Sequence, residues 1–409
     1  MSLLPVADAL ARLLGRASTL QRQEMVGLHE ATGRVLASDV SARLTHPAFD
    51  NSAMDGYALR HADIEQIGSE LTVIGQSAAG HGFSGSVGPG QAVRIFTGAP
   101  VPPGADTVLI QEDADVIAEG RIRTTFAVAR GRHIRPKGQD FVLGDSVLRA
   151  GESLDFGRLT VAAGMNHAEL PVLCRPKIAI LATGDELRSP GSMPGPDQII
   201  ASNTYGVAAL ARDNGAEIID LGIVGDNSDA ISHAVGRAVS AKADILVTLG
   251  GASVGDHDLV QATLLACGMT LDFWRIAMRP GKPLMVGTLG AMHVLGLPGN
   301  PVSSLVCSLL FLEPLTRHLA GLRPRDRFAD AILATPLAAN DKRQDYIRAT
   351  LSIDEKGRLL AGPFSRQDSS MMQVFAKADC LIVRPPQAPA IDAGAPCEVM
   401  ILRPASGRS

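Results

Sequence analysis

Apolar residues recur at different spacings along the 409-residue chain, and the changes in spacing divide it into regions. Residues 3–14 place leucine, valine and alanine at intervals of three and four, which predicts an amphipathic helix. Between about 51 and 150, short β-like runs alternate with glycine- and proline-rich turns, which predicts a small all-β domain. From 177 to about 320, strand-like runs alternate with helical patterns and predict a mostly parallel sheet covered on both faces. From about 327 the runs are β-like again, and a C-terminal barrel or sandwich is expected.

The apolar runs of the central region have the length expected of buried strands. The predicted strands are 177–181, 216–224, 243–249, 270–278, 283–287 and 292–297, and helical patterns lie near 203–214, 228–241, 257–267 and 301–320. In an open α/β sheet, ligands bind outside the carboxyl ends of the strands. The residues that follow these strands are therefore the first candidates for a functional site.

Glycine turns, carboxylates and cations follow the predicted strands. The candidates are Thr183, Gly184, Asp185, Glu186, Asp226, Gly250, Gly251, Ser253, Gly255, Asp258, Arg279, Lys282, Pro298, Gly299, Asn300 and Pro301. Backbone N–H groups of such turns, and of a helix that starts at Pro301, bind phosphate oxygens, and Arg279 and Lys282 would neutralise the phosphate charge. Carboxylates that face a phosphate imply a divalent cation, and Mg²⁺ suits this donor set. The edge therefore predicts a site for a phosphorylated anion.

Each of these motifs also has a purely structural interpretation. Asp185 or Asp226 alone is typical of a helix cap, and the GGASVGD run alone is typical of a tight turn. Asn300 before Pro301 is a common N-cap followed by a first-turn proline. Their coincidence at one edge of a sheet favours a functional site.

Polar stretches outside the central region leave similar alternatives. Residues 46–57 have the composition of a site loop or of an inter-domain linker. Residues 94–100 end a predicted strand in a turn. Residues 132–140 form a basic loop that ends in a carboxylate, which is typical either of a binding loop or of a solvated charged segment.

Composition excludes several classes of function. Lys plus Arg number 38 and Asp plus Glu number 42, and this net charge of −4 argues against a general nucleic-acid-binding protein. The five cysteines are far apart and form no CxxC pair, which is typical of a reducing compartment. The chain has no run of 18 apolar residues, and its charged first helix differs from a signal peptide. A cytoplasmic protein that binds neither nucleic acid nor membrane is expected.

A set of motifs, taken in order and spacing, resembles the molybdopterin molybdenumtransferase family, the MoeA type that is also found as the C-terminal portion of gephyrin. The motifs are FDNSAMDGYA (49–58), RIFTGAPVP (94–102), IRPKGQD (134–140), TGDEL (183–187), GGASVGDHD (250–258), RPGKP (279–283) and LPGNP (297–301). The resemblance covers nearly the whole chain.

The resemblance implies a multidomain α/β plus β fold and a homodimer of elongated subunits. The implied domains are an N-terminal elongated dimerisation region (1–50 and 141–176), an inserted small β domain (51–140), a molybdopterin-binding α/β domain (177–326) and a C-terminal β-barrel (327–409).

The resemblance also implies an enzyme that inserts molybdate into adenylylated molybdopterin and releases AMP with the help of Mg²⁺. Carried over to this chain, the family's site positions are Asp55, Thr97, Asp140, Glu186, Asp226, Asp258, Arg275, Arg279, Lys282, Pro298, Pro301, Arg348 and Ser369. The carboxylates among them and Lys282 are the expected catalytic residues, and Glu186, Asp226 and Asp258 are the expected metal ligands. Arg275 and Arg279 stand where some members have lysine, and residues 368–372 match the family's Gly-Ser-Gly stretch loosely.

Two other functions stay open at this point. The α/β domain also resembles the molybdopterin adenylyltransferase that acts one step earlier, and gephyrin is also a scaffold. The flanking domains argue against the first, and the acidic and basic edge argues against a purely structural role. The upstream adenylyltransferase and downstream molybdoenzymes or cofactor-processing proteins are the expected partners.

The position of Asp55, Thr97 and Asp140, far in sequence from the central region, leads to a prediction. In an elongated dimer these residues would complete the partner's site, and one composite site of each mixed dimer would then be intact. Subunits carrying Asp55→Ala mixed with subunits carrying Asp258→Ala are therefore expected to regain activity. Mixed dimers as inactive as either parent, or a monomer by light scattering, would contradict the prediction.

Overall fold

The computed structural model describes residues 3–250 and 259–403, which form two compact units. The first unit is formed by the chain up to Glu24 and from Leu173 onward, and the second by Met25–Val172. Among the described residues, no helix is both long enough and apolar enough to span a membrane.

The first unit contains a six-stranded central sheet. Its strand order is Glu217–Val224, Lys177–Thr183, Ile245–Leu249, Met292–Leu297, Pro283–Leu289 and Thr270–Arg275. The first four strands are parallel, whereas Pro283–Leu289 is antiparallel to both of its neighbours. The prediction of a mostly parallel α/β sheet is confirmed.

Helices cover both faces of this sheet. They are Asn203–Asp213, Ser228–Ser240, Leu259–Ala266 and Pro301–Cys307, the last continuing through the π-helical turn Ser308–Leu312 into Glu313–Leu319. All residues of the central strand Ile245–Leu249 are buried, and its alternate side chains enter different apolar clusters. Burial on both faces explains why such a strand is an uninterrupted apolar run.

The N-terminal helix, Val6–Leu14, packs on the first unit. Val6, Ala9 and Leu13 are buried in the same apolar cluster as strand Ile245–Leu249. The helix begins later than the pattern from residue 3 predicts, because Leu4 forms a bridge with Ile276. Residues at the start of the predicted 1–50 region therefore belong to the core of the α/β unit.

The C-terminal part of the first unit is a closed five-stranded barrel. The strands, in order around it, are Gln344–Ile353, Leu359–Pro363, Phe328–Leu333, Pro396–Ile401 and Cys380–Arg384, and the last pairs with the first. The short helix Met372–Lys377 precedes Cys380–Arg384. Met278–Arg279, which follows the central sheet's edge strand, pairs in parallel with the start of Gln344–Ile353. Backbone hydrogen bonds thus join the α/β domain to the barrel.

The second unit contains a six-stranded sheet and a separate apolar cluster. The sheet order is Thr107–Ile110, Gly56–Leu59, Gln91–Ile95, Glu70–Ser77, Arg121–Thr124 and Ala114–Ala118, with 3₁₀ turns at His61–Asp63 and Gln111–Asp113. The separate cluster joins residues of 26–42 to residues of 141–172, including helix Phe156–Gly164. Whether this unit is two domains divided as the sequence analysis expects stays a prediction.

Short two-stranded pairings complete the fold. They are Gln23–Gly27 with Glu169–Leu173, Val40–Ser41 with Ser146–Leu148, Asn51–Ser52 with Ile134–Arg135, and Leu187–Arg188 with Ile199–Ile200.

Candidate active site

The carboxyl ends of the parallel strands meet at one edge of the central sheet. Their register places Thr183 beside Val224, and Leu249 beside both Ala182 and Leu297. The turns that follow these strands therefore lie side by side, and they contain the predicted site residues at 184–186, 226, 250 and 298–300.

The reversed strand brings cations to the same edge. Because Pro283–Leu289 is antiparallel to its neighbours, its amino end lies where the parallel strands end. Arg275 pairs with Pro283, so Arg275 and the exposed Lys282 both lie at this edge. The sequence predicts the loop position of Lys282 but not the direction of the strand that follows it.

The predicted carboxylates at the edge have different roles in the fold. Asp185 Oδ1 accepts a hydrogen bond from the Asp226 N–H at 3.1 Å, and a Cβ added at Gly225 would lie 2.6 Å from that oxygen. Asp185 therefore joins two neighbouring turns. The Glu186 carboxylate folds back over Gly184, where an added Cβ would lie 2.4 Å from Glu186 Oε2. The side chains of Glu186 and Asp226 are exposed at the edge.

Glycine is required at Gly250. Its φ is +97°, and a Cβ there would lie 2.6 Å from the Thr183 carbonyl oxygen. The neighbouring turn is held in place by Asn203, whose Nδ2 donates to the Gly299 carbonyl at 2.7 Å. Predicted site residues that follow Gly250 lie outside the described residues: Gly251, Ser253, Gly255 and Asp258.

One N–H group at the start of the helix that begins at Pro301 is already engaged within the protein. Asn300 is its N-cap residue and Pro301 is in its first turn, as expected. However, the Val302 N–H donates to the Ser369 carbonyl of the barrel region at 3.1 Å. That N–H group holds the two domains together rather than facing a phosphate.

A cleft of about 1020 Å³ lies between the α/β domain and the barrel. Of the predicted residues, Arg279, Lys282, Arg348 and Ser369 line it. Other lining residues were not predicted from the sequence, namely Ser303, Arg343, Asp345, Gln367, Asp368 and Arg384. The charged side chains are mostly cations, so the cleft favours an anion.

Arg348 is buried in this cleft, with 1% of its surface exposed. Its Nη2 donates to the Asp368 carbonyl at 3.2 Å, while Nε has no hydrogen-bond partner among the described residues. Gln367 holds the Arg348 backbone from both sides, accepting from its N–H and donating to its carbonyl at 2.9 Å each. Burial lowers the pKa of the guanidinium. A buried cation with an unused donor is costly unless a ligand satisfies it.

The other cations in the cleft are already engaged. Arg384 Nη2 donates to the carbonyls of Pro389 and Ala338. Arg343 forms an ion pair with Asp341 at 2.8 Å. Arg279 is paired with Asp345. Lys282 has a different environment, because it is exposed and lies at both the cleft and the sheet edge.

Two of the predicted residues of the second unit, Asp55 and Thr97, are bonded to each other. Asp55 Oδ1 accepts hydrogen bonds from the Thr97 N–H at 2.7 Å and from the Thr97 hydroxyl at 2.8 Å. These bonds and the charge of Arg94 lower the pKa of Asp55. Arg94 itself lies over the rings of Tyr57 and Phe96. Asp140 is exposed, and its N–H donates to the His46 carbonyl at 3.1 Å.

No group of three or more His, Cys, Asp or Glu side chains is arranged around a possible metal position within residues 3–250 and 259–403. The expected ligand trio includes Asp258, which lies outside these ranges. Glu186 and Asp226 remain as exposed oxygen donors on neighbouring turns.

Family models match nearly the whole chain in three consecutive parts. They are described as the MoeA N-terminal region (domain I and II) at residues 4–165, a probable molybdopterin binding domain at 179–318, and the MoeA C-terminal region (domain IV) at 330–402.

Known proteins resemble the chain over similar lengths. The molybdopterin molybdenumtransferase of Nostoc sp. is 37% identical over 85% of this chain and 81% of its own length. That of Haemophilus influenzae is 34% identical over 96% of this chain and 97% of its own. The solved molybdopterin biosynthesis MoeA protein of Pyrococcus horikoshii superposes with a TM-score of 0.83 at 28% identity, covering 98% of this chain and 99% of that one.

Proposed function

The chain belongs to the MoeA family of molybdopterin molybdenumtransferases, and on that premise we propose that it inserts molybdate into adenylylated molybdopterin in a Mg²⁺-dependent step that releases AMP. As a member of this family it is an enzyme of molybdenum cofactor biosynthesis. The sheet edge would bind the phosphates of the adenylylated pterin, and the adjoining cleft would bind molybdate.

The observation that carries the proposal is the buried Arg348. Molybdate is a tetrahedral dianion, and charge-assisted hydrogen bonds from N–H and O–H donors bind such oxyanions well. Arg348, whose Nε has no hydrogen-bond partner among the described residues, lines a cleft that also contains Lys282, Ser303 and Ser369. Bound molybdate would accept a hydrogen bond from this nitrogen and balance the buried charge.

Lys282 lies in both parts of the proposed site, the molybdate cleft and the phosphate-binding edge of the sheet. It lines the cleft and also lies at the same edge of the sheet as Glu186 and Asp226, although the strands Ile245–Leu249 and Met292–Leu297 separate its strand from theirs. Cleavage of a phosphoanhydride needs positioning and charge neutralisation more than a covalent nucleophile. We therefore assign Lys282 to neutralising the charge that develops on the phosphate as the anhydride bond breaks.

The exposed carboxylates at the edge fit a hard divalent cation. Mg²⁺ prefers carboxylate oxygens, phosphate oxygens and water, which are the donors that this edge and the substrate offer. Glu186 and Asp226 would hold it together with Asp258, while Asp185 stays engaged in holding the turns. When bound, Mg²⁺ would supply positive charge to the anhydride phosphates.

Adenylylation of molybdopterin is less well supported, because the proposed molybdate cleft needs both the α/β domain and the barrel. A reaction with the pure protein, adenylylated molybdopterin, Mg²⁺ and molybdate separates the functions. Metal insertion with AMP release supports the proposal, while binding without turnover supports a scaffold. Absence of both activities would contradict the proposal.

We also propose that the enzyme is a cytoplasmic homodimer. Its upstream partner would be the adenylyltransferase that supplies the substrate, and its downstream partners would be molybdoenzymes or cofactor-processing proteins. The second unit carries large exposed apolar side chains, including Phe156 at 89% and Leu143 at 67% exposure. In the proposed dimer a second copy of the chain would cover such side chains.

Substitution of Asp226 by alanine is expected to abolish Mg²⁺-dependent AMP release without unfolding the protein. The side chain is exposed, so its loss removes an expected metal ligand and leaves the packing intact. Asp229→Ala is the matched control, because Asp229 is an exposed carboxylate on the helix that follows the same turn. Normal AMP release by Asp226→Ala would contradict the assignment of the edge.

A further inference from the structure

A pair of oppositely charged residues lies where the α/β domain meets the barrel. Arg279 Nε donates to Asp345 Oδ1 at 2.9 Å, and Nη2 bonds the other carboxylate oxygen. The backbones of the same two residues are paired in parallel register. Next to them, the Gln344 N–H donates to the Ala277 carbonyl at 2.8 Å. A two-pronged ion pair and backbone hydrogen bonds therefore join the domains at one point.

The guanidinium of Arg279 is committed to the barrel. Among the described residues, its further polar partners are Asn340 Oδ1 at 3.5 Å and Asp341 Oδ2 at 3.6 Å, both in the same region as Asp345. The hydrogen bonds and charge of Asp345, followed by the charge of Asp341, raise the pKa of Arg279 against the opposing effect of burial. The Asp345 side chain is only 11% exposed.

An oxyanion that used the Nε–Nη2 edge of Arg279 as a ligand would have to displace Asp345. The displaced carboxylate would then be left largely buried without its counter-charge, which is strongly unfavourable. Arg348 presents no such conflict, because its Nε is unused. The cleft thus contains one arginine whose Nε has no hydrogen-bond partner among the described residues and one whose charge is already balanced by a carboxylate.

Asp345 and Arg348 lie three residues apart on the strand Gln344–Ile353. The Arg279–Asp345 pair holds the start of this strand against the α/β domain, which carries Lys282. The strand's position in turn sets where the buried guanidinium of Arg348 lies relative to Lys282. A small displacement of a binding group costs much of its contribution to binding and catalysis.

We propose that Asp345 is a positioning residue: through its ion pair with Arg279 it holds Arg348 in place for the oxyanion, and Arg279 is an inter-domain tie rather than an anion ligand. This proposal rests on the assignment of the cleft to molybdate. It gives Arg279 a role different from the charge neutralisation that the sequence suggests.

The test compares two substitutions that remove the same charge. Asp345→Asn removes the tie, whereas Asp341→Asn removes an exposed carboxylate that lies 3.6 Å from the same guanidinium. Binding of inorganic molybdate is measured by calorimetry, together with the KM for molybdate and kcat. We expect Asp345→Asn to raise Kd and KM by about tenfold or more. Asp341→Asn is expected to leave Kd and KM unchanged or to lower them by less than about fivefold, since exposed ion pairs contribute little interaction free energy.

Whether Asp345→Asn raises or lowers the Kd for molybdate decides between the two roles of Arg279. If Arg279 is an anion ligand that Asp345 neutralises, Asp345→Asn frees it and molybdate binds more tightly, which would overturn the proposal. Asp345→Glu, which keeps the charge, should recover part of the lost affinity. A general structural defect would instead lower kcat and thermal stability with KM unchanged, and this outcome would also count against positioning.

A second variant covers the case in which Asp345→Asn does not fold. The swapped pair Arg279→Asp with Asp345→Arg restores an ion pair in the opposite orientation and should bind molybdate within about tenfold of the parent. A folded swapped protein without molybdate binding would overturn the proposal. Molybdate binding by Arg348→Gln is measured in parallel. Parent-like binding by this variant would show that the anion does not bind in this cleft. That result would contradict the proposed function rather than the positioning role of Asp345.

Discussion

Replacement of Arg348 by glutamine is expected to lower molybdenum insertion by about 10²-fold or more, with loss of inorganic molybdate binding. The magnitude is that of removing one preorganised donor from a water-poor site. Glutamine keeps a polar side chain but removes the charge and the unused Nε that the oxyanion would accept from. AMP release, molybdenum content of the product and molybdate calorimetry measure the effect.

The fold should tolerate this substitution. The parent protein holds a guanidinium that burial disfavours, as its lowered pKa indicates, so removing it also removes a desolvation cost. Arg358→Gln is the matched control, because Arg358 is an exposed barrel arginine paired with Asp354. Arg348→Lys should be intermediate, since lysine keeps the charge without the planar fork. Parent-like activity of Arg348→Gln would refute the role of this residue.

Replacement of Glu313 by glutamine is expected to destabilise the first unit by about 3–5 kcal/mol. Glu313, in helix Glu313–Leu319, receives two hydrogen bonds of 2.8 Å each from Arg327, at the start of the barrel region. Both side chains are largely buried, with 3% and 13% exposure, and Arg327 also donates to the Ile401 carbonyl at 3.0 Å. Without the carboxylate, Arg327 keeps a buried charge that nothing balances.

Denaturant and thermal unfolding, followed with a probe in the first unit, measure this loss. Breaking an exposed ion pair in the same unit by Arg358→Gln should change stability by less than about 1 kcal/mol. An equal, small effect of both substitutions would mean that the Glu313–Arg327 pair is not a stabilising connection between helix and barrel.

The sequence predicted the central sheet well because its strands are buried on both faces. A strand such as Ile245–Leu249, with every residue buried, has to be a continuous apolar run, and such runs are visible without a structure. Strand direction is not visible in this way. Pro283–Leu289 has the same apolar character as the parallel strands of the sheet, and only its pairing shows that it is reversed.

The residues of the candidate site were likewise predictable only in part. Residues that follow strands, such as Glu186 and Asp226, could be found because chain order places them at one edge of the sheet. The functions of single carboxylates could not be separated, since only the structure shows Asp185 bonded to the Asp226 N–H. Arg348 was predicted only from the family resemblance. Asp345 was predicted neither from chain order nor from the resemblance, because its partner Arg279 lies 66 residues away along the chain.

The proposed binding of molybdate at Arg348, whose Nε is unpaired among the described residues, would also link the lifetime of the protein to its substrate. A ligand that binds only the folded state raises the free energy of unfolding as its concentration exceeds Kd, by about 2.7 kcal/mol at a hundredfold excess. Molybdate would therefore act on this enzyme as a folding ligand as well as a reactant. In a cell starved of molybdenum, the vacant protein would open more often and be degraded sooner, so its abundance would follow the supply of the metal that it inserts.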